Sequence, residues 1–505
     1  MQAEAPRTPK GGIGRAAVGG VAWNLAGQIL DRVFGFIAFA VVVRLLTVEL
    51  AGVVMLAASA IDMVAVLAFA GVGERIIQHH APDRRVLSTA FWVQMGITLI
   101  LVACLSLGAG TIAGILGEQR IVPLLHALAI VLLPQALAIV PSSILSRQLR
   151  FRELSLCSLA CSFISASAGI AVAVAGEPFW ALVVQRMVAT VVFAALVFWR
   201  ARWRPEPVFD RVIARDVLRF STPLLASALT QSINTHASAV LIGAFLPVEA
   251  VAYYRVAARL ADVVWQFSLG PITRVFLSVF SILRDDRERA RRAFLNILTV
   301  VACVTYASYA IIAGTAPEVM TLLFGAEWAR AGSVFTLMAL AAITMPLGAF
   351  VSPALTAAGR TQLVFTFNLI GLIAMLATVP VAAQFGLFEV LYTAIGRSIL
   401  LSPLPFFALR LAFGVSAPQL LSVLVAPVVA AVAGGLVADQ VISLVLPLLG
   451  AMRGALPVAV LLAFAAGGLV FLAVQGVLAF RRMREVLRML LGMLRRDRGS
   501  ATAAP

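Results

Sequence analysis

Apolar runs of about 20 residues recur almost from end to end of this chain, and no other feature restricts its fold so strongly. In a hydrocarbon layer every backbone amide must find its partner within the protein, so only helices and closed barrels cross. None of the runs alternates polar and apolar residues over ten-residue segments as barrel strands do, and the spans are expected to be helices. They fall at 18–43, 48–72, 86–113, 120–145, 154–175, 179–199, 217–245, 250–280, 293–314, 329–357, 361–384, 387–410, 419–438 and 455–479. The expected fold is an all-α integral membrane protein of about fourteen transmembrane helices, with no soluble domain left over. Composition agrees: of 505 residues 62% are hydrophobic and 12% charged, where a soluble domain carries about 25% charge.

A net charge of +16 would suggest nucleic acid in a soluble protein, but here the arginines gather between apolar runs on alternate sides. Arg147, Arg150 and Arg152, then Arg200, Arg202, Arg204, Arg211 and Arg215, mark one side, whereas the opposite turns carry Glu118, Glu177, Glu249 and Glu318. The positive-inside rule then puts both termini in the cytoplasm, and no nucleic-acid partner is expected. Arg7, Lys10 and Arg15 precede the first run without a short apolar core and cleavage site, so no removable signal peptide is expected. The four cysteines lie in apolar runs without a ligand set around them and are read as small core residues, with no metal or cofactor expected. The tail "RRMREVLRMLLGMLRR" suits a helix lying on anionic membrane lipids, or a basic tail that completes the topology signal.

The chain also repeats itself. "LTVELAGVVMLAASAIDMV" at 46–64 and "LPVEAVAYYRVAARLADVV" at 246–264 share Leu46, Val48, Glu49, Asp62 and Val64 at an offset of 200. Pro134 and Pro141 have the spacing of Pro346 and Pro353. Both copies begin on an inward-starting helix, so the halves are expected to be parallel six-helix repeats, forming two pseudo-symmetric lobes plus two C-terminal helices. The expected organisation is an N-terminal lobe at 1–199, a cytoplasmic linker at 200–216, a C-terminal lobe at 217–410, added helices at 411–480 and a basic cytoplasmic tail at 481–505.

Polar residues inside the spans concentrate in the first two helices of each half. Arg255, Arg259, Asp262 and Gln266 follow at i, i+4, i+7 and i+11, one stripe of helix eight. Helix seven carries Gln231, Asn234, Thr235 and Ser238, helix one carries Asn24, Gln28, Asp31 and Arg32, and helix two carries Asp62. A charge at the bilayer centre costs about 2.5–3.5 kcal/mol, so these groups should face a bundle interior or a wet cavity. The alternative is that Arg255, Arg259 and Asp262 form structural ion pairs, or that Arg255 reaches out to the interface. Cavity arginines imply an anionic ligand, since the guanidinium fork can hold two phosphate oxygens at once. The expected substrate-binding set is Arg32, Arg255, Arg259, Asn24, Gln28, Gln231, Asn234 and Gln266. Asp31, Asp62 and Asp262 are the expected ion-coupling carboxylates for proton or sodium, with His236 a weaker candidate. Gly270 and Pro271 could let helix eight bend between access states.

The duplicated halves, the polar helices one, two, seven and eight, "IVPSSILSRQLRFRELS" and "GEPFWALVVQ" resemble Wzx-type lipid-linked oligosaccharide flippases of the multidrug/oligosaccharidyl-lipid/polysaccharide exporter superfamily. The resemblance covers nearly the whole chain through loose, hydrophobic motifs. It implies two lobes around a cationic cavity that turns over an undecaprenyl-pyrophosphate-linked oligosaccharide by alternating access, with polysaccharide polymerase machinery as a further partner. It also implies arginines for pyrophosphate or sugar on helices one, two, seven and eight; Arg32, Arg255 and Arg259 answer to this, while helix two supplies only Asp62. A drug/cation antiporter of the same superfamily would favour carboxylates with few arginines. A membrane-bound polymerase or ligase would need catalytic groups in a large outer loop, and no Ser, His and Asp gather in this sequence, so no enzyme is expected.

Overall fold

The computed structural model describes residues 13–69, 71–79, 82–268, 287–357, 360–450 and 454–502, with side chains described for these except 13–26, 28, 29, 287, 356, 357, 361, 480–483 and 485–502. Gly270, Pro271, Arg274 and His80, and the side chains of Asn24 and Gln28, lie outside the described residues. Every regular element among the described residues is helical, as a chain that must satisfy its backbone inside lipid requires. Among the described residues eleven segments are long and apolar enough to cross a membrane.

The first helices are α1 (Ile13–Leu45), α2 (Val48–Phe69), α3 (Val72–Gln78), α4 (Arg84–Ile115) and α5 (Ile121–Arg147). Then come α6 (Phe151–Val174), α7 (Pro178–Ala201), α8 (Arg211–Phe245) and α9 (Val248–Ser268). α1, α8 and α9 stand where polar helices one, seven and eight were expected. Beyond them lie α10 (Arg287–Ala313), α11 (Ala316–Phe324), α12 (Ala329–Ala341), α13 (Met345–Ala357), α14 (Thr361–Ala383), α15 (Leu387–Leu401), α16 (Pro403–Phe413), α17 (Ala417–Leu449) and α18 (Ala455–Thr502).

Three expected helices are interrupted, each for a local reason. Helix two stops at Phe69, and Gly71, at φ +96°, turns the chain into α3; a Cβ there would lie 2.5 Å from Ser221. Helix ten loosens into a 3-10 turn at Ala342–Thr344, just before Pro346. Helix twelve breaks at Ser402 because Pro403 lacks the N–H that would continue it. Helix thirteen instead runs eleven residues past its expected end at 438, to Leu449. α18 bends at Ala479 (φ −129°, ψ 28°), where the apolar span was expected to give way to the basic tail.

By packing, the chain forms two compact units, Met1–Ala252 and Tyr253–Pro505. In the first, α6 lies against α1 and α7, α5 against α4 and α7, and α8 against α2. Phe91, Val140, Ala214 and Val217 are part of one of its buried clusters. In the second, Phe294 stacks on Phe413 at 4.7 Å and meets Phe350 edge-on at 5.8 Å, inside a core drawn from α10, α13, α16 and α17. The sequence repeat has a structural counterpart: α1 ends at Leu45 and α2 begins at Val48, while α8 ends at Phe245 and α9 begins at Val248, again 200 apart. Glu49, in the first copy, accepts a hydrogen bond from Arg120 at 2.7 Å, so it ties α2 to the turn between α4 and α5. Cys157 and Cys161 are core residues as expected; Cys104 is exposed and Cys303 half-buried.

Small residues set the closest helix crossings, since helices in lipid associate by van der Waals fit and interhelical hydrogen bonds. A Cβ on Gly434 of α17 would lie 2.7 Å from the Gly467 carbonyl of α18, and one on Gly467 the same distance from the Gly434 carbonyl. Gly434→Leu is expected to destabilise by about 1–3 kcal/mol through overpacking, and Val432→Leu, at a position 54% exposed, to be neutral. Thermal unfolding of the two purified variants in detergent checks this.

Candidate functional site

Glycines bring the polar helices of the first unit together. A Cβ on Gly27 of α1 would sit 3.0 Å from Ser155 of α6, and one on Gly169 of α6 would sit 2.9 Å from Gln185 of α7. This close packing puts Asp31 of α1 against α6, where it accepts a hydrogen bond from the Ser162 hydroxyl. Asp62 of α2 forms an ion pair with Arg186 of α7; the two side chains are 22% and 29% exposed. The Ser232 hydroxyl of α8 donates to the backbone carbonyls of Asp62 at 3.0 Å and Met63 at 3.1 Å. Asp62 is therefore neutralised within its own unit, while Asp31 accepts from a neutral donor. Arg32 is exposed and, among the described residues, makes no hydrogen bond or ion pair. Gln231 is exposed and Asn234 half-buried on α8.

In the second unit α9 is amphipathic. Val256, Ala257, Leu260 and Val264 are buried on one face. Arg255, Arg259 and Gln266 are half-buried and Asp262 exposed on the other, so the four share one stripe as their spacing required. Among the described residues Arg255 makes no hydrogen bond or ion pair. The N-terminal end of α9 is braced by aromatic contacts: Trp328 meets Tyr253 edge-on at 6.2 Å, and the Arg330 guanidinium lies 5.7 Å from the Tyr253 ring and 5.8 Å from that of Phe388. Further along the helix, the Tyr309 hydroxyl donates to the Ala261 carbonyl at 3.1 Å.

Arg186 and Arg397 were not among the expected site residues. Both lie inside the last helical span of a sequence half, ten residues after Gly176 and eleven after Gly386, each glycine opening its span with positive φ. Arg397 of α15 donates to the Thr378 hydroxyl of α14 at 3.1 Å and, among the described residues, has no carboxylate partner. A charge inside an apolar run was the signal that could have found both. His79, in the short connection between α3 and α4, is half-buried.

Comparison with known proteins adds the family. A family model described as "Polysaccharide biosynthesis protein" matches residues 41–333. The succinoglycan biosynthesis transport protein ExoT of Rhizobium meliloti (strain 1021) is 26% identical over 365 residues, 72% of this chain and 74% of that one. The lipopolysaccharide biosynthesis protein WzxC of Escherichia coli (strain K12) is 23% identical over 375 residues, 73% of this chain and 75% of that one. Among solved structures, the lipid II flippase MurJ in its inward closed conformation has a TM-score of 0.70 at 13% identity, over 90% of this chain and 98% of that one. An inward-facing multidrug resistance MATE family transporter of the MOP superfamily has a TM-score of 0.53 at 19% identity, over 78% and 94%. At such identities the structural likeness speaks to the fold alone. The family match, by contrast, spans more than half of the sequence, and this chain belongs to the polysaccharide biosynthesis protein family.

Proposed function

We propose that this protein moves a lipid-linked oligosaccharide, carried on undecaprenyl pyrophosphate, across the bacterial inner membrane by alternating access. The observation that carries the reading is the charged stripe of α9, with Arg255 free of any carboxylate among the described residues. A half-buried guanidinium without a counter-ion is matched by a ligand that brings its own negative charge, and pyrophosphate offers oxygens at the spacing of its fork. The names of similar proteins point the same way, with ExoT described as a transport protein and MurJ as a flippase.

In this reading Arg32, Arg255 and Arg259 hold the pyrophosphate, and Asn24, Gln28, Gln231, Asn234 and Gln266 hydrogen-bond to sugar hydroxyls. The halves 1–199 and 217–410 act as the two moving lobes, both termini face the cytoplasm, and a polymerase receives the product. Asp31, Asp62 and Asp262 couple transport to proton or sodium, with Arg186 as the internal cation that Asp62 exchanges. A drug/cation antiporter would be poorly served by a carboxylate already paired with arginine.

A deletion strain tests the reading. The lipid-linked oligosaccharide should accumulate on the inner leaflet and be restored to polymer by the wild-type gene. Its accumulation outside, unpolymerised, would count against a flippase.

A further inference from the structure

A polar pocket lies within the first unit, where the spans of α4 and α7 end. It encloses about 500 Å³, within the roughly 300–1,000 Å³ of small-molecule sites. Arg84, Arg202 and Arg204 line it against a single carboxylate, Glu206, and Trp199 and Trp203 supply an aromatic wall. The floor is fixed rather than loose. Glu206 takes a hydrogen bond from Arg84 at 3.0 Å, its N–H donates to the Ser88 hydroxyl at 3.0 Å, and its carbonyl accepts from the Trp92 indole at 2.9 Å.

One donor in this pocket is left unused by the fold. The Trp203 ring is held against Phe198 at 6.2 Å and Phe91 at 5.8 Å, yet its indole N–H is buried with no acceptor among the described residues. Arg202 ends α7 in the left-handed region at φ +50°, a place that favours glycine. An orphaned donor beside three arginines calls for an anionic acceptor. The aromatic wall at the end of two apolar spans suits a group seated at the membrane boundary.

We propose that this pocket binds a phosphate group, supplied by the headgroup of an anionic phospholipid or by a free phosphate compound. The Trp203 N–H and the Arg202 and Arg204 guanidinium groups contact its oxygens, and Arg84 holds the Glu206 strap in place. The site shares no residue with the α9 stripe and does not depend on what that stripe transports.

Native mass spectrometry of the delipidated full-length protein in detergent tests this, every form carrying Arg255→Ala with Arg259→Ala so that the α9 stripe holds no phosphate, with dioleoylphosphatidylglycerol, dioleoylphosphatidylcholine and inorganic pyrophosphate titrated separately. Phosphatidylglycerol should be retained over phosphatidylcholine, and Arg202→Gly with Arg204→Ala should weaken that retention roughly thirtyfold. The exposed pair Arg211→Ala with Arg215→Ala should not. Binding of pyrophosphate without a preference between the lipids, lost in the same variant, assigns the site to a free phosphate compound. Arg202→Gly removes a left-handed arginine, so its melting temperature should match or exceed that of the parent form; Trp203→Phe, which deletes only the donor from the aromatic stack, gives an independent variant with severalfold weaker retention. Equal binding by the parent form, Trp203→Phe and the Arg202/Arg204 variant, or no binding of either phosphate probe, overturns the proposal.

Discussion

Replacing Arg255 and Arg259 together by alanine should abolish polymer export while leaving the protein in the membrane at near wild-type abundance. The two effects separate because of how α9 is built. Its packing rests on Val256, Ala257, Leu260 and Val264, all buried, and neither arginine belongs to that face. Each arginine contributes charge-assisted hydrogen bonds to a phosphate, about 1.5–3 kcal/mol apiece. Losing both should lower transport roughly 10²- to 10⁴-fold. Arg255→Lys keeps the charge but loses the planar fork, so it should fall between the wild type and alanine. Complementation of a deletion strain, scored for surface polymer and for membrane abundance by immunoblot, reads both quantities. Normal export by the double variant would remove the basis for a cationic phosphate site on this helix. A collapse in abundance would mean that the stripe is structural.

That stripe could be read from the sequence because helical periodicity is local: 255, 259, 262 and 266 fall on one face whatever packs around them. The joint repeated at 45–48 and 245–248 was legible for the same reason, being carried by contiguous motifs. What spans distant positions was not. Asp62 and Arg186 are 124 residues apart, and nothing in either neighbourhood names the other. Arg186 follows immediately on the quoted "GEPFWALVVQ", outside the first two helices of each half, where the polar residues of the spans concentrate. The breaks at Gly71 and Ser402 were hidden by continuous hydrophobicity, which reports burial in lipid and says little about whether a helix stays straight within it.

Arg186→Ala alone should damage the protein more than Arg186→Ala combined with Asp62→Ala. Removing one partner leaves the Asp62 carboxylate among membrane helices without its cation, a loss of about 3 kcal/mol at the lower end for broken buried pairs. The lower end applies because the side chains retain 29% and 22% of their exposure, so water still reaches them. Deleting both groups removes the uncompensated charge, and the melting temperature of the purified double variant should recover most of the way to the wild type. The hydroxyl of Ser232 would still bond the backbone carbonyls at 62 and 63, so α2 and α8 keep that link in every variant. The cycle also separates two roles for the pair. A structural ion pair predicts that the stable double variant exports polymer normally. A coupling carboxylate predicts that it folds, reaches the membrane and transports no substrate against its gradient, because the group that exchanges Arg186 for an incoming cation is gone. Export by the double variant at the wild-type rate would therefore take Asp62 out of the coupling mechanism and leave Asp31, which accepts a hydrogen bond from the Ser162 hydroxyl, as the carboxylate of the first unit to test next.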